Sequence, residues 1–111
     1  MKKFVREIMG TPYIFKFGER KDINLKDEYL GLCSKYSKEI LVSTDKDECT
    51  EEELKVRTQE VVAHEILHAY LNECGLEIGD VNEELLADFF MKNWRKMQQS
   101  ILDVLERTDN L

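Results

Sequence analysis

The stretch that decides the fold is residues 50–75, which read TEEELKVRTQEVVAHEILHAYLNECG. It opens with a capping box, because the Thr50 hydroxyl can accept a hydrogen bond from the amide of Glu53 while the Glu53 carboxylate returns to the amide of Thr50. It closes with Gly75, and glycine readily adopts the left-handed conformation that ends helices. The stretch therefore predicts one long helix that ends one or two residues before Gly75.

The only two histidines of the chain, His64 and His68, lie inside this predicted helix with Glu65 next to the first of them. Residues four apart lie on one face of a helix, one turn apart, so both imidazoles can point at one metal ion. Glu65 lies about 100° round the helix from His64 and flanks such an ion without binding it. It can accept a proton from a water that the metal acidifies, so the pattern predicts zinc with Glu65 as general base.

A catalytic zinc ion normally has three protein ligands and one open position, so the chain must supply a third ligand. The candidates are Glu83 and Glu84, at the start of the next predicted helix. Glu83 can act as the capping partner of Asp80, which leaves Glu84 as the preferred ligand. Asp88 shares a helical face with Glu84 and is expected to orient a ligand histidine through its other ring nitrogen. A solvated helix face is the alternative reading of both Glu84 and Asp88.

The second predicted helix spans residues 80–107 and begins with a cap residue and an acid three positions later. Its apolar residues recur at spacings of three and four, which is the pattern of a helix with one buried face. We expect this stripe to pack in the core. Its members are Leu86, Phe90, Trp94, Met97, Ile101, Val104 and Leu105.

The N-terminal part of the chain has a different pattern, with short apolar segments rich in aromatic and β-branched residues. Such segments, separated by turn residues, predict strands. They are residues 4–8, 13–17, 29–33 and 39–43, and the first two look like a hairpin. The sequence therefore predicts an α+β fold in which a small sheet of three or four strands packs on two long helices.

Composition limits the possible functions. The chain has 111 residues, of which 42% are hydrophobic and 35% charged, as expected for one globular domain over residues 1–111. A net charge of −7 argues against a nucleic-acid partner, because phosphate binding relies on clustered Lys and Arg. We expect no signal peptide and no membrane span, since Arg6 and Glu7 interrupt the first apolar run. Three cysteines match no zinc or disulfide framework, which predicts reduced thiols and a cytoplasmic protein.

Two stretches together resemble a known enzyme family. The run His-Glu-Ile-Leu-His at residues 64–68, followed by Asn-Glu-Glu-Leu-Leu-Ala-Asp at residues 82–88, resembles the gluzincin pattern of thermolysin-like enzymes. In size and over residues 64–76 the chain looks most like the small phage and prophage relatives of the ImmA/IrrE-type metallopeptidases. The resemblance implies a zincin-like fold and zinc-dependent hydrolysis of a peptide or protein substrate.

Other readings stay open at this point. A phage or prophage regulatory protein that binds zinc without turnover would keep the same ligands, and a metal-free structural domain would hold no zinc. The metzincin class is excluded, because it requires Gly and His where this chain has Leu71 and Cys74. The strand at residues 39–43 is a candidate to border the cleft and pair with an extended substrate.

The group that would stabilise the oxyanion is also unassigned. Tyr70 lies about 200° round the helix from His68 and faces away. Tyr13, Tyr29 and Tyr36 are the open candidates.

Overall fold

The N-terminal half of the chain forms a four-stranded mixed sheet. A computed structural model of the protein describes residues 1–108. Across the sheet, the strands are β1 (Lys2–Ile8), β2 (Thr11–Gly18), β4 (Glu39–Ser43) and β3 (Gly31–Ser34). Neighbouring strands run antiparallel in the pairs β1–β2 and β3–β4, and parallel in the pair β2–β4.

The first two strands form the predicted hairpin. Their register pairs Ile8 with Thr11, which leaves Met9 and Gly10 as a two-residue loop. Both loop residues have positive φ angles, 51° and 83°. Two consecutive left-handed residues are typical of the turn whose twist matches that of the strands it joins.

Strand β4 is internal to the sheet, with β2 on one side and β3 on the other. The chain passes from β2 to β4 through a short helix, α1 (Arg20–Ile23), which the sequence did not predict, and then through β3. Ile40 and Val42 of β4 are fully buried. The hypothesis that β4 receives an extended substrate is therefore wrong, because both of its hydrogen-bonding edges are already paired. The strand with a free edge on this side is β3.

The first long helix, α2 (Glu51–Cys74), has the predicted ends. The Thr50 amide donates to Oε1 of Glu53 at 2.9 Å, and the Glu53 amide donates to the Thr50 hydroxyl at 3.2 Å. Gly75 ends the helix with a φ of 71°. The local signals at residues 50–53 and 75 were therefore sufficient to predict both ends of this helix.

The main core lies between α2 and the sheet. Ala69 of α2 is fully buried, and its small side chain lets the helix approach the sheet closely. Val61, Val62 and Ile66 of the same helix pack against this cluster. On the sheet side, the buried members are Ile8, Tyr13, Phe15, Ile40 and Val42.

The second long helix, α3 (Asp80–Arg107), packs against α2, with Ala87 fully buried. The predicted cap at Asp80 is wrong, because the N-cap residue is Gly79, with a φ of 87° and no side-chain hydrogen bond. The amide of Glu83 donates instead to the carbonyl oxygen of Gly79 at 2.9 Å. The Glu83 carboxylate therefore has no capping role.

The predicted burial of the α3 stripe is correct only in part, and only for Phe90 and Trp94. Phe90 and Trp94 are partly buried, whereas Met97 and Ile101 are exposed, Ile101 by 57%. Leu86, Val104 and Leu105 are exposed as well. Periodicity identifies one apolar face of a helix, but it does not say whether another element lies opposite that face.

The structure shows no disulfide within residues 1–108, and Cys33, Cys49 and Cys74 are all free thiols. None of the helices in this part of the chain combines the length and apolar character needed to cross a bilayer.

Candidate metal centre

The side chains of His64 and His68 converge on the face of α2 that lies towards β3 and the first turns of α3. Their Nε2 atoms are 3.2 Å apart, and the rings meet edge to face with centroids 4.9 Å apart. Both side chains are largely buried. The four-residue spacing in the helix therefore brings the two imidazoles together as the sequence predicted.

Glu84, in the first turns of α3, completes the cluster. Its two carboxylate oxygens lie 2.9 Å from Nε2 of His68 and 3.3 Å from Nε2 of His64. In a tetrahedral zinc site with bonds of roughly 2.1 Å, the ligand atoms are about 3.4 Å apart. One ligand atom from each of the three residues lies within 4.8 Å of the other two, so His64, His68 and Glu84 could hold a metal ion.

The outer nitrogen of each ring has a carboxylate partner. Nδ1 of His64 lies 3.2 Å from Oδ1 of Asp88, and Nδ1 of His68 lies 2.7 Å from Oε1 of Glu83. A carboxylate beside Nδ1 favours the tautomer with its proton on that nitrogen, and in that tautomer each Nε2 has a lone pair available to a metal ion. Two lone pairs and the Glu84 carboxylate then face one another at close range. A shared cation is the natural partner of such a set.

The structure thus places the two adjacent glutamates against different atoms of the histidines. Glu84 approaches both Nε2 atoms, as expected of the preferred ligand, and Asp88 reaches His64 as expected of the orienting group. Glu83 holds His68, a contact that the sequence reasoning missed because Glu83 was assigned to the cap. The sequence could have suggested this contact, because each ligand histidine has a second ring nitrogen that needs a hydrogen-bond partner.

Glu65 is buried at the base of the site, with 8% of its surface exposed. Burial raises the pKa of this carboxyl group to about 7, the Glu84 carboxylate raises it further, and the nearby His68 opposes the shift. Within residues 1–108, Glu65 makes no hydrogen bond or ion pair. A carboxyl group with a pKa near neutrality is suited to accept and release a proton.

A cleft of about 1190 Å³ surrounds the cluster. One wall is a stripe of α2 residues four apart, from Glu52 through His64 and His68 to Asn72. The opposite wall is β3 with the residues that precede it, and the first turns of α3 contribute a third side. The cluster is therefore open to a ligand along a groove that runs beside the edge strand.

The four tyrosines of the chain differ in burial and in whether they line the cleft. Tyr13 is fully buried and donates its hydroxyl to Oε2 of Glu73 at 2.6 Å, so it is wrong as an oxyanion candidate. Tyr36 is 92% exposed and lies outside the residues that line the cleft. Tyr29 lines the cleft and is the remaining candidate of the three. Tyr70 is exposed and also lies outside this lining, as its angle on the helix predicted.

No family model matches the sequence, and no curated protein or solved structure matches it either.

Proposed function

We propose that the protein is a zinc-dependent metallopeptidase of the gluzincin type, with a minimal zincin-like fold related to the ImmA/IrrE enzymes. The observation that carries this proposal is the pair of Nε2 atoms 3.2 Å apart, with both Nδ1 atoms held by carboxylates and Glu84 against both rings. This arrangement supports a metal site with His64, His68 and Glu84 as ligands.

The donor set favours zinc over calcium or magnesium. Two imidazole nitrogens and one carboxylate are typical zinc ligands, whereas the harder cations prefer oxygen alone. Three protein ligands leave a position open, and a purely structural zinc site would close it with a fourth. When bound here, zinc would supply Lewis acidity that polarises a carbonyl group and acidifies a water molecule.

The chain's own residues supply the proton transfers. Glu65 lines the cleft, is buried against the site and has a pKa raised to about 7. It would accept a proton from the attacking water and pass it to the nitrogen of the leaving amine. Asp88 and Glu83 would keep His64 and His68 in the orientation that presents Nε2 to the ion.

Strand β3 is the better candidate to hold the substrate. It pairs with β4 on one side only, and Gly31, Leu32 and Cys33 line the cleft. An extended peptide could therefore add to its free edge through main-chain hydrogen bonds. This placement would bring the scissile bond past Glu65, because Gly31 lies against that carboxylate.

A cytoplasmic location is part of the same proposal. The three cysteines of the chain are all free thiols in the structure. Free thiols are typical of proteins kept in a reducing compartment.

The test combines metal analysis with peptidase assays on the wild type, Glu65→Gln and Glu84→Ala. We expect the wild type to bind about one zinc ion per chain and to cleave an unstructured protein substrate such as casein. Glu65→Gln should keep zinc and lose cleavage, and Glu84→Ala should lose both. Glu77→Gln, an exposed acid between the two long helices, is the control and should behave as wild type.

Two results would count against the proposal. If the wild type binds zinc but cleaves nothing, the alternative of a non-catalytic zinc protein replaces it. If Glu84→Ala holds zinc as tightly as the wild type, the assignment of the third ligand is wrong.

A further inference from the structure

The cleft has an unusual charge. Nine carboxylate residues and two basic residues line it, an excess of seven acidic groups. This excess equals the formal net charge of the whole chain, −7. The negative charge of the protein is therefore concentrated in the cleft and is not spread evenly over the surface. A bound divalent ion would offset only two of these negative charges.

Neither of the two basic residues of the lining forms an ion pair with an acid of the cleft. Arg57 donates from Nη1 to Oδ2 of Asp47 at 3.0 Å and also reaches the carbonyl oxygen of Asp45. The Lys35 ammonium lies 6.0 Å from the centre of the Tyr36 ring. Neither cation therefore neutralises the acids of the cleft.

Several of the acids have no partner of their own. Glu28 and Glu52 make no ion pair or side-chain hydrogen bond with any residue from 1 to 108. Glu60 has only Lys92, at 3.3 Å and largely exposed. Solvent-exposed ion pairs contribute little and are easily exchanged, so Glu60 is available to a competing cation.

The acids lie along the line that a peptide would follow. Glu52, Glu60 and His64 belong to the same stripe of α2, so Glu60 is about 6 Å and Glu52 about 18 Å along the helix from the metal cluster. An extended chain advances about 3.3 Å per residue. These two carboxylates are therefore positioned to meet side chains roughly two and five or six residues from the scissile bond.

A second feature of the cleft is an unpaired carboxyl group among its lining residues. Glu65 is more than nine-tenths buried, lines the cleft and has no polar partner among the described residues. Since the structure leaves no solvent-inaccessible side-chain oxygen without a partner in residues 1–108, the exposed part of Glu65 is its carboxylate, which faces whatever occupies the cleft.

We propose that the cleft selects cationic peptides, that is, extended segments carrying Lys or Arg on the side of the scissile bond that lies along the first half of α2. Glu28, Glu52 and Glu60 provide the attraction. This inference rests on the proposed function for the identity of the site, but it concerns binding and can be tested without turnover.

The probe is a fluorescent decapeptide of alternating Lys and Ala, compared with the same peptide containing Glu in place of Lys. Zinc-loaded Glu65→Gln protein, which should bind without cleaving, is titrated against each while fluorescence anisotropy is recorded. We expect the Lys peptide to bind at least about tenfold more tightly, and its affinity to fall as NaCl is raised to about 1 M, because salt screens exposed charges.

The critical variant combines Glu28→Lys with Glu52→Lys, and its control combines Asp103→Lys with Glu106→Lys on the exposed end of α3. Both pairs change the net charge equally, but only the first lies in the cleft. The cleft variant should lose roughly tenfold in affinity for the Lys peptide, and the control should lose less than about twofold. If Glu52→Lys weakens the N-terminus of α2, the milder pair Glu28→Gln with Glu52→Gln should still weaken binding.

Equal affinities for the two peptides, or equal losses in the cleft variant and its control, would overturn the inference. Wild-type cleavage of the Glu peptide in preference to the Lys peptide would also overturn it, while the peptidase proposal would stand. If the wild type binds the Lys peptide tightly but cleaves nothing, the inference about cationic peptides holds and the peptidase proposal fails.

Discussion

A Cβ atom on Gly31 would lie 3.0 Å from Oε2 of Glu65. The same atom would lie 2.6 Å from a methyl group of Val61, a separation that real Cβ atoms do not show. Strand β3 therefore approaches α2 at this point more closely than any other residue type permits. The contact joins the free edge of the sheet to the proposed general base.

The first prediction follows from this contact. Gly31→Ala should displace β3 or Glu65, and a shift of about 1 Å in a catalytic group can cost about 10²-fold in rate. The measurement is peptidase activity with zinc content determined in parallel, because the zinc content separates a displaced Glu65 from a lost metal ion. Ser34→Ala on the same strand is the control. Full activity in Gly31→Ala would show that the close approach has no functional role.

The second prediction concerns the carboxylates that hold the histidines. Glu83→Ala and Asp88→Ala should each weaken zinc binding by roughly 10- to 100-fold, since such partners orient the ring and raise its basicity. Glu83→Ala should have the larger effect, because its contact with Nδ1 is 2.7 Å and less exposed, against 3.2 Å for Asp88. Competition with a zinc chelator measures both, with Glu77→Gln as control. A larger effect from Asp88→Ala would contradict the assigned roles.

The third prediction is a pH dependence of stability. Glu73 accepts hydrogen bonds from Lys38, Thr11 and Tyr13, which together hold the pKa of its carboxyl group down at about 2. The folded state therefore favours the ionised form, and this stabilisation is complete above the usual pKa of 4.5. It should be lost as the pH falls from 4.5 towards 2.

Glu73→Gln tests this linkage. The variant should melt several degrees below the wild type at pH 7, and the difference should shrink as the pH falls through the same range. Thermal unfolding followed by circular dichroism at a series of pH values gives both curves. Glu77→Gln, which removes an exposed charge, should not show this trend. A difference that is constant with pH would mean that the Glu73 charge is not the source of the stabilisation.

The fourth prediction compares one substitution at two isoleucines. Ile40→Ala, in the fully buried strand β4, should lower the free energy of unfolding by about 2–5 kcal/mol. Ile101→Ala, on the exposed half of α3, should change it by less than about 0.5 kcal/mol. Urea denaturation measures both. A large loss in Ile101→Ala would show that another surface covers this face of α3 in solution.

Much of the fold follows from local patterns. The ends of α2, the β1–β2 hairpin and a small sheet of three or four strands were predicted, because caps, turns and periodicity involve residues close together in the chain. The strand order was not predicted. It depends on β3 lying outside β4, and side-chain alternation says which face of a strand is buried but not which strands are its neighbours.

The N-cap of α3 shows that local patterns can also fail within a single helical turn. Asp80 and Glu83 match the capping pattern, yet Gly79 is the N-cap and Glu83 turns to His68. A short pattern of polar residues has several local solutions. Here the Glu83 carboxylate contacts His68 of α2 and does not cap its own helix.

The sequence by itself determined the helix that carries His64, Glu65 and His68 and the placing of both imidazoles on one face, because those relations need only the 3.6-residue period. The tertiary structure alone decided that Glu84 meets both rings and that Gly31 packs against Glu65. These contacts join residues on different elements. Their geometry depends on how α2, α3 and the sheet pack, which no local pattern encodes.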